Sequence, residues 1–152
     1  MPKQGALEAI KKTEAVLREV LPCYLASAPR GNRNCSQLNQ RGVELETVMI
    51  EGHTDSDQYK NDPNKNWHLG LDRARFIFEE FDKGDLGGFK NKKGQPLLGV
   101  SSYADSRPSK IRSETRDPKA NDRRVELRFI LSYQGTDGQS PASEITNAIR
   151  KR

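Results

Sequence analysis

Apolar residues near the start of the chain recur at helical spacing. Leu7, Ile10, Leu17 and Leu21 fall in one row with Glu14, and Ala6 and Val20 lie beside it. Pro22 ends the run, so the pattern predicts an amphipathic helix of about four turns. From Pro22 to Gly42 the period vanishes, and Pro29, Gly31 and several Asn and Arg residues lie between Cys23 and Cys35, which reads as a long surface loop. Val43 to Ile50 alternates and then becomes apolar on both sides, the mark of an interior strand. That run stops at Gly52, which puts His53, Thr54 and Asp55 at a strand's carboxyl end, where open α/β sheets tend to place ligands. The polar stretch 56–65 reads as a loop.

Trp67, Leu71, Ala74, Phe78 and Phe81, with Ile77 alongside, define a second amphipathic helix capped by Asn64 or Asn66. In this phase Trp67 is a core anchor. Arg73 lies on the flank near the helix start, within reach of the loop that holds Asp55. Leu97–Tyr103 predicts a further strand. Arg124–Leu131 predicts the last one, with Val125, Leu127, Phe129 and Leu131 facing inward against Arg124, Glu126 and Arg128. The order is helix, strand, helix, strand, strand. With no internal repeat, the reading is one domain over 1–134, then a polar linker and short basic tail over 135–152.

Length and composition narrow this to a single layered α/β domain with a thin core: 152 residues, 33% hydrophobic and 31% charged. The net charge of +5 favours an anionic partner, whether nucleic acid, acidic lipid or cell-wall polymer, and does not choose among them. No stretch approaches the roughly 20 apolar residues of a membrane span. The start, Met1-Pro2-Lys3-Gln4-Gly5, lacks a signal peptide's apolar core, so the chain read literally is cytosolic.

Enzyme readings find little support. His53 and Asp55 come with no nucleophile elbow. The glycines follow neither the phosphate-loop nor the dinucleotide pattern. Glu51 and Asp55 as a glycosidase pair have nothing visible to tune them. His53 and His68 lack partners at metal-ligand spacing, so no metal or cofactor is expected. The basic runs Lys90-Asn91-Lys92-Lys93 and Arg150-Lys151-Arg152 keep a nucleic-acid binder as the rival class, but they are not interleaved with aromatics as base-reading surfaces are.

Three fragments carry more information: Gly52-His53-Thr54-Asp55, then Asn66-Trp67-His68-Leu69-Gly70-Leu71-Asp72-Arg73-Ala74, then Asp122-Arg123-Arg124-Val125-Glu126. In this order they resemble the OmpA-like peptidoglycan-binding domain. The Asn66-Trp67 opening and Tyr103-Ala104-Asp105-Ser106-Arg107-Pro108 resemble its MotB branch. The likeness spans about Leu7 to Leu131. It implies a βαβαββ α/β (α+β) sandwich with helices on one face of a mixed sheet, from which the first strand, normally ahead of the first helix, is missing. Gly70 stands where the family usually has Ser, Ser101-Ser102 stands near a usual Gly, and the cysteine-bearing loop is an addition.

The resemblance implies noncatalytic binding of the diaminopimelate in peptidoglycan stem peptides. Asp55 and Arg73 are at the centre, Thr54 and Asn66 make lesser contacts, and one of Arg123 and Arg124 approaches from the last strand. The chemistry is consistent: the free end of diaminopimelate carries an ammonium for an aspartate and a carboxylate for the planar fork of an arginine. Each residue also has a plain structural role open to it. Asp55 can be a turn residue, Arg73 a solvated flank, and Arg123 and Arg124 can divide between a salt bridge and solvent. Cys23 and Cys35 are either a disulfide of an oxidising compartment, contributing about 3 kcal/mol through loop closure, or two free thiols of a reducing one.

The likeness further implies an excised periplasmic domain of a membrane-anchored protein, a homodimeric stator subunit working with a MotA-type channel subunit. Both flagellar motors and the related Zorya antiphage system use such domains. An outer-membrane lipoprotein or porin anchor is the competing placement.

Overall fold

The computed structural model describes residues 4–25, 34–111 and 114–132. Helix α1 (Gln4–Val20) follows the first apolar row and passes directly into a 3-10 turn, Leu21–Tyr24, whose Leu21, Pro22 and Cys23 are buried. The expected loop is therefore partly built structure. A short helix α2 (Cys35–Leu38) is tied back by the Cys23–Cys35 disulfide, with Cα atoms 5.0 Å apart. The Asn39 amide donates to the carbonyls of Cys23 (2.9 Å) and Val43 (2.8 Å), and its oxygen accepts the Val43 N–H (2.8 Å). A sequence scan for periodicity misses these ties because they use polar side chains.

Strand β1 (Glu44–His53) is central, parallel to β2 (Leu98–Ala104) on one side and antiparallel to β3 (Val125–Ser132) on the other, giving the order β2-β1-β3. Among the described residues no strand precedes α1. Helix α3 (Lys65–Lys83) links β1 to β2. The core lies between the sheet and the helices, built from Leu17, Leu21, Leu45, Val48, Ile50, Ala74, Phe81 and Leu97. β1 runs three residues past its apolar stretch because pairing continues: the His53 N–H donates to Arg124 O at 2.9 Å.

Helix α3 differs in phase from the sequence reading. Asn66, Gly70, Ala74 and Phe81 are buried, whereas Trp67 is 49% and Leu71 42% exposed, so Trp67 is not a core anchor. The reason is a backbone contact. A Cβ on Gly52 of β1 would overlap the carbonyl of Gly70, and a Cβ on Gly70 would overlap the Ser102 hydroxyl. The helix turns its glycine to the sheet and swings Trp67 and Leu71 outward. Asn64 occupies the cap position without a side-chain cap bond, and Asn66 spends its amide elsewhere.

On β3, Val125 and Leu127 pack against the core, but Phe129 and Leu131 on the same face are 42% and 53% exposed. No described helix is long and apolar enough to cross a membrane. Residues 135–152 lie outside the described ones.

Gly52→Ala meets backbone and should cost about 3 kcal/mol in urea unfolding. Gly70→Ala meets the Ser102 hydroxyl, which holds the Ala104 N–H, and the Gly52 carbonyl at 3.0 Å, so it should cost about 2 kcal/mol even with its gain in helix propensity. Unchanged stability in both variants would contradict the close approach.

Candidate functional site

The carboxyl end of β1 is clamped from both sides. A register shift at Gly52/His53 leaves Tyr103 unpaired in β2. The next residue, Ala104, is buried with φ 48, a left-handed conformation that costs a non-glycine residue about 1–2 kcal/mol. Its N–H donates to the Ser102 hydroxyl (3.2 Å) and its carbonyl accepts the Thr54 N–H (2.8 Å). Thr54, buried, directs its hydroxyl to the Asp55 carbonyl at 3.1 Å, and the Asn66 amide donates to the carbonyls of Asp55 (3.3 Å) and Asp57 (3.1 Å). Thr54 and Asn66 thus hold the shape of the loop on which Asp55 is mounted.

The Asp55 carboxylate accepts a hydrogen bond from Arg123 at 2.8 Å and one from the Asp57 N–H at 3.3 Å. Burial pushes its pKa upward, but Arg123 and the amide outweigh that and leave it below the usual carboxylate range. Arg123 also pairs with Asp117, and the two carboxylates hold its guanidinium firmly protonated. Lys119 pairs with Asp57 at 2.5 Å.

Arg73, one turn beyond Gly70, is half-buried and donates to the His53 carbonyl at 2.6 Å. Desolvation lowers its pKa, and nearby Asp55 offsets part of that. Among the described residues it has no carboxylate within ion-pair distance. Asp57, Asp117 and Lys119 were not named from sequence. Asp117-Pro118 is a turn dipeptide, but nothing local in it shows that the segment of Asp117 and Lys119 folds against Asp55.

Arg124 goes elsewhere. On the face of the sheet away from α1 and α3 it bonds Glu126 (2.7 Å) and the Arg107 carbonyl (3.1 Å). Nearby, Arg128 grips buried Glu51 with two bonds of 2.7 and 2.8 Å, and the Arg128 hydrogen bond lowers the Glu51 pKa despite burial. Tyr103 stacks on buried His53 at 5.5 Å, and the Arg107 guanidinium lies 3.6 Å above Tyr103. The strand register brings Glu51, His53 and Glu126 within 4.8 Å, neighbours that linear spacing could not reveal. With Arg107, Arg124 and Arg128 around them, they form a poor seat for a dication.

No protein-family model matches the sequence, and no curated protein does. Solved structures match in fold. The periplasmic domain of Helicobacter pylori MotB aligns at 17% identity and TM-score 0.50, over 98% of this chain and 73% of that one. The C-terminal domain of the same protein aligns at 15% identity and TM-score 0.51, over 99% and 87%. A second crystal form of it gives 16% and 0.52, over 99% and 88%. The chain has the fold of these MotB domains, the one to which its three fragments point.

Glu51 and Asp55 have folded-state pKa values below their unfolded ones, so over that window the unfolded chain binds more protons and stability rises with pH. The contribution is complete above the ordinary carboxylate pKa of about 4 and is lost as pH falls through the depressed values. Melting temperature should fall steeply between about pH 5 and pH 2. Glu51→Gln should melt lower at neutral pH and lose less on acidification.

Proposed function

We propose that this domain binds peptidoglycan without catalysis, reading the free end of stem-peptide diaminopimelate with Asp55 and Arg73. The observation that carries the reading is Arg73: a half-buried guanidinium held by one backbone carbonyl, with no carboxylate partner among the described residues and its charge partly desolvated. Such a group gains more from an incoming carboxylate than a solvated arginine does. Asp55, Asp57 and Asp117 balance Arg73, Arg123 and Lys119 in formal charge, so a zwitterionic group enters without upsetting that balance. Its ammonium meets Asp55 on the oxygen that accepts only the Asp57 amide, while Arg123 holds the other.

The setting we infer is the periplasm, which the Cys23–Cys35 disulfide supports. There the domain would anchor a MotB-like stator subunit, flagellar or of the Zorya antiphage kind, to the wall. A homodimer and a MotA-type channel partner belong to that reading, and the MotB-like fold is its support.

Co-sedimentation with isolated sacculi tests it. Asp55→Ala and Arg73→Ala, each first verified as folded, should weaken binding about 10- to 100-fold, the loss of one charge-assisted contact of about 1.5–3 kcal/mol. Sacculi with lysine in place of diaminopimelate should bind less well, and on them Arg73→Ala should add no further loss. Undiminished pelleting of both variants would sink the site. Steeply salt-sensitive capture of nucleic acid with no pelleting would favour the rival class.

A further inference from the structure

The imidazole of His53 is fully buried, yet neither ring nitrogen has a hydrogen-bond partner. Buried polar groups of native proteins are nearly always bonded, so an unmet imidazole calls for a reason. Apolar surroundings do not supply one, because charged and polar side chains ring it from every neighbouring element. Glu51 precedes it on the same face of β1, Glu126 comes from β3, and Arg124 from just ahead of β3. Tyr103 of β2 stacks on the ring, and Arg107 of the following turn lies over Tyr103. Across the sheet α3 sends only Arg73, which meets the His53 backbone and not its ring.

Glu126 decides what a proton would do here. One of its oxygens accepts Arg124 Nε at 2.7 Å, and the other lies 3.7 Å from His53 Nε2. That gap is too long for a hydrogen bond to a neutral ring and short enough for a charged ring to close. A charged His53 therefore competes with Arg124 for one carboxylate, while the positive charges of Arg124 and Arg107 press against it. Arg124 does not give up its partner in isolation. Its guanidinium also holds the Arg107 carbonyl, its own carbonyl accepts the His53 N–H, and Arg123 beside it grips Asp55. The His53 carbonyl in turn receives Arg73.

Burial first, then Arg124, lowers the pKa of His53 against the opposing pull of Glu126 and Glu51. A ring solvated by local opening titrates at about 6.5 instead, inside the range where histidine acts as a switch. The open form thus binds more protons. The closed form is favoured in full above about pH 6.5 and loses ground, by up to about tenfold per pH unit, as pH falls toward the depressed value. Glu51 and Asp55, both held below the ordinary carboxylate range, stay ionised through that window. We propose that His53 is a proton sensor for this end of the sheet: in mild acid its ring takes a proton from solvent, draws Glu126 off Arg124 and frees the loop that carries Asp55. Its bearing on ligand binding rests on the reading of Asp55 and Arg73 given above; the sensor itself does not.

Hydrogen exchange and NMR of the full chain between about pH 7.5 and pH 5, without ligand, test it. The His53 and Thr54 amides now bond to the Arg124 and Ala104 carbonyls. Corrected for intrinsic rate, their protection should fall about tenfold across that range, in step with the titration of the His53 ring. His53→Gln should abolish the fall, and His68→Gln, at the exposed histidine of α3, should keep it. Because position 53 is buried, Glu126→Gln supplies a variant that leaves the ring in place and an oxygen for Arg124. It should move the midpoint of the ring and that of the protection loss to lower pH together. An unmoved midpoint, a ring that titrates with no loss of protection, or a loss that survives His53→Gln overturns the proposal. A His53 ring signal displaced by added zinc assigns the ring to a metal and equally overturns it. None of these readouts uses peptidoglycan, so the sensor and the ligand reading fail separately.

Discussion

Everything at the functional end of this domain depends on one backbone contact, that of Gly70 on Gly52. No side chain separates helix α3 from the central strand there, so the helix approaches more closely than ordinary side-chain packing allows. The contact fixes depth and rotation together. With Gly70 toward the sheet, Asn66 one turn earlier comes under the loop after β1, and Arg73 one turn later comes beside the His53 carbonyl. A helix held off by one methyl group would carry both polar groups away from the carbonyls that now receive them.

The loop that carries Asp55 is held by neighbours on every side. Arg124, just ahead of β3, supplies a carbonyl to His53, β2 supplies one to Thr54 through the left-handed Ala104, and α3 supplies the Asn66 amide. Two carboxylates and an arginine then run in a chain, Asp55–Arg123–Asp117, beside the Lys119–Asp57 pair. Each charge here is answered by a neighbour except that of Arg73, which a carbonyl dipole answers only in part. Preorganisation of this kind lowers the entropy that binding must overcome, because the receiving groups are ordered beforehand.

Much of this was legible in the chain. The apolar rows of α1 and β1, the alternation of β3 and the three fragments gave the element order and the residues at the end of the sheet. The phase of α3 was not legible, because a hydrophobicity pattern rewards Trp67 and Leu71 and is blind to a glycine that faces the sheet for lack of a side chain. The same blindness hid the work of Asn39 and of buried Asn66, which is to satisfy loop carbonyls. Arg123 and Arg124 are adjacent in sequence, and their opposite destinations follow from strand alternation only once the start of β3 is known. Asp117 and Lys119 belong to a turn-rich segment whose folding against residues some 60 positions earlier leaves no local trace.

The disulfide between α1 and β1 has a mechanical meaning. Tension applied between the amino-terminal helix and the Asp55 loop enters β1 near Glu44 and leaves it beyond His53, along the axis of a strand already extended. Cys23 and Cys35, 12 positions apart, withhold roughly 35 Å of chain that would otherwise uncoil before the strand took any load. With that slack locked away, the force falls at once on the ladders that join β1 to both neighbours, and their hydrogen bonds resist side by side in shear instead of opening one after another. The domain is thereby stiff along the axis of β1.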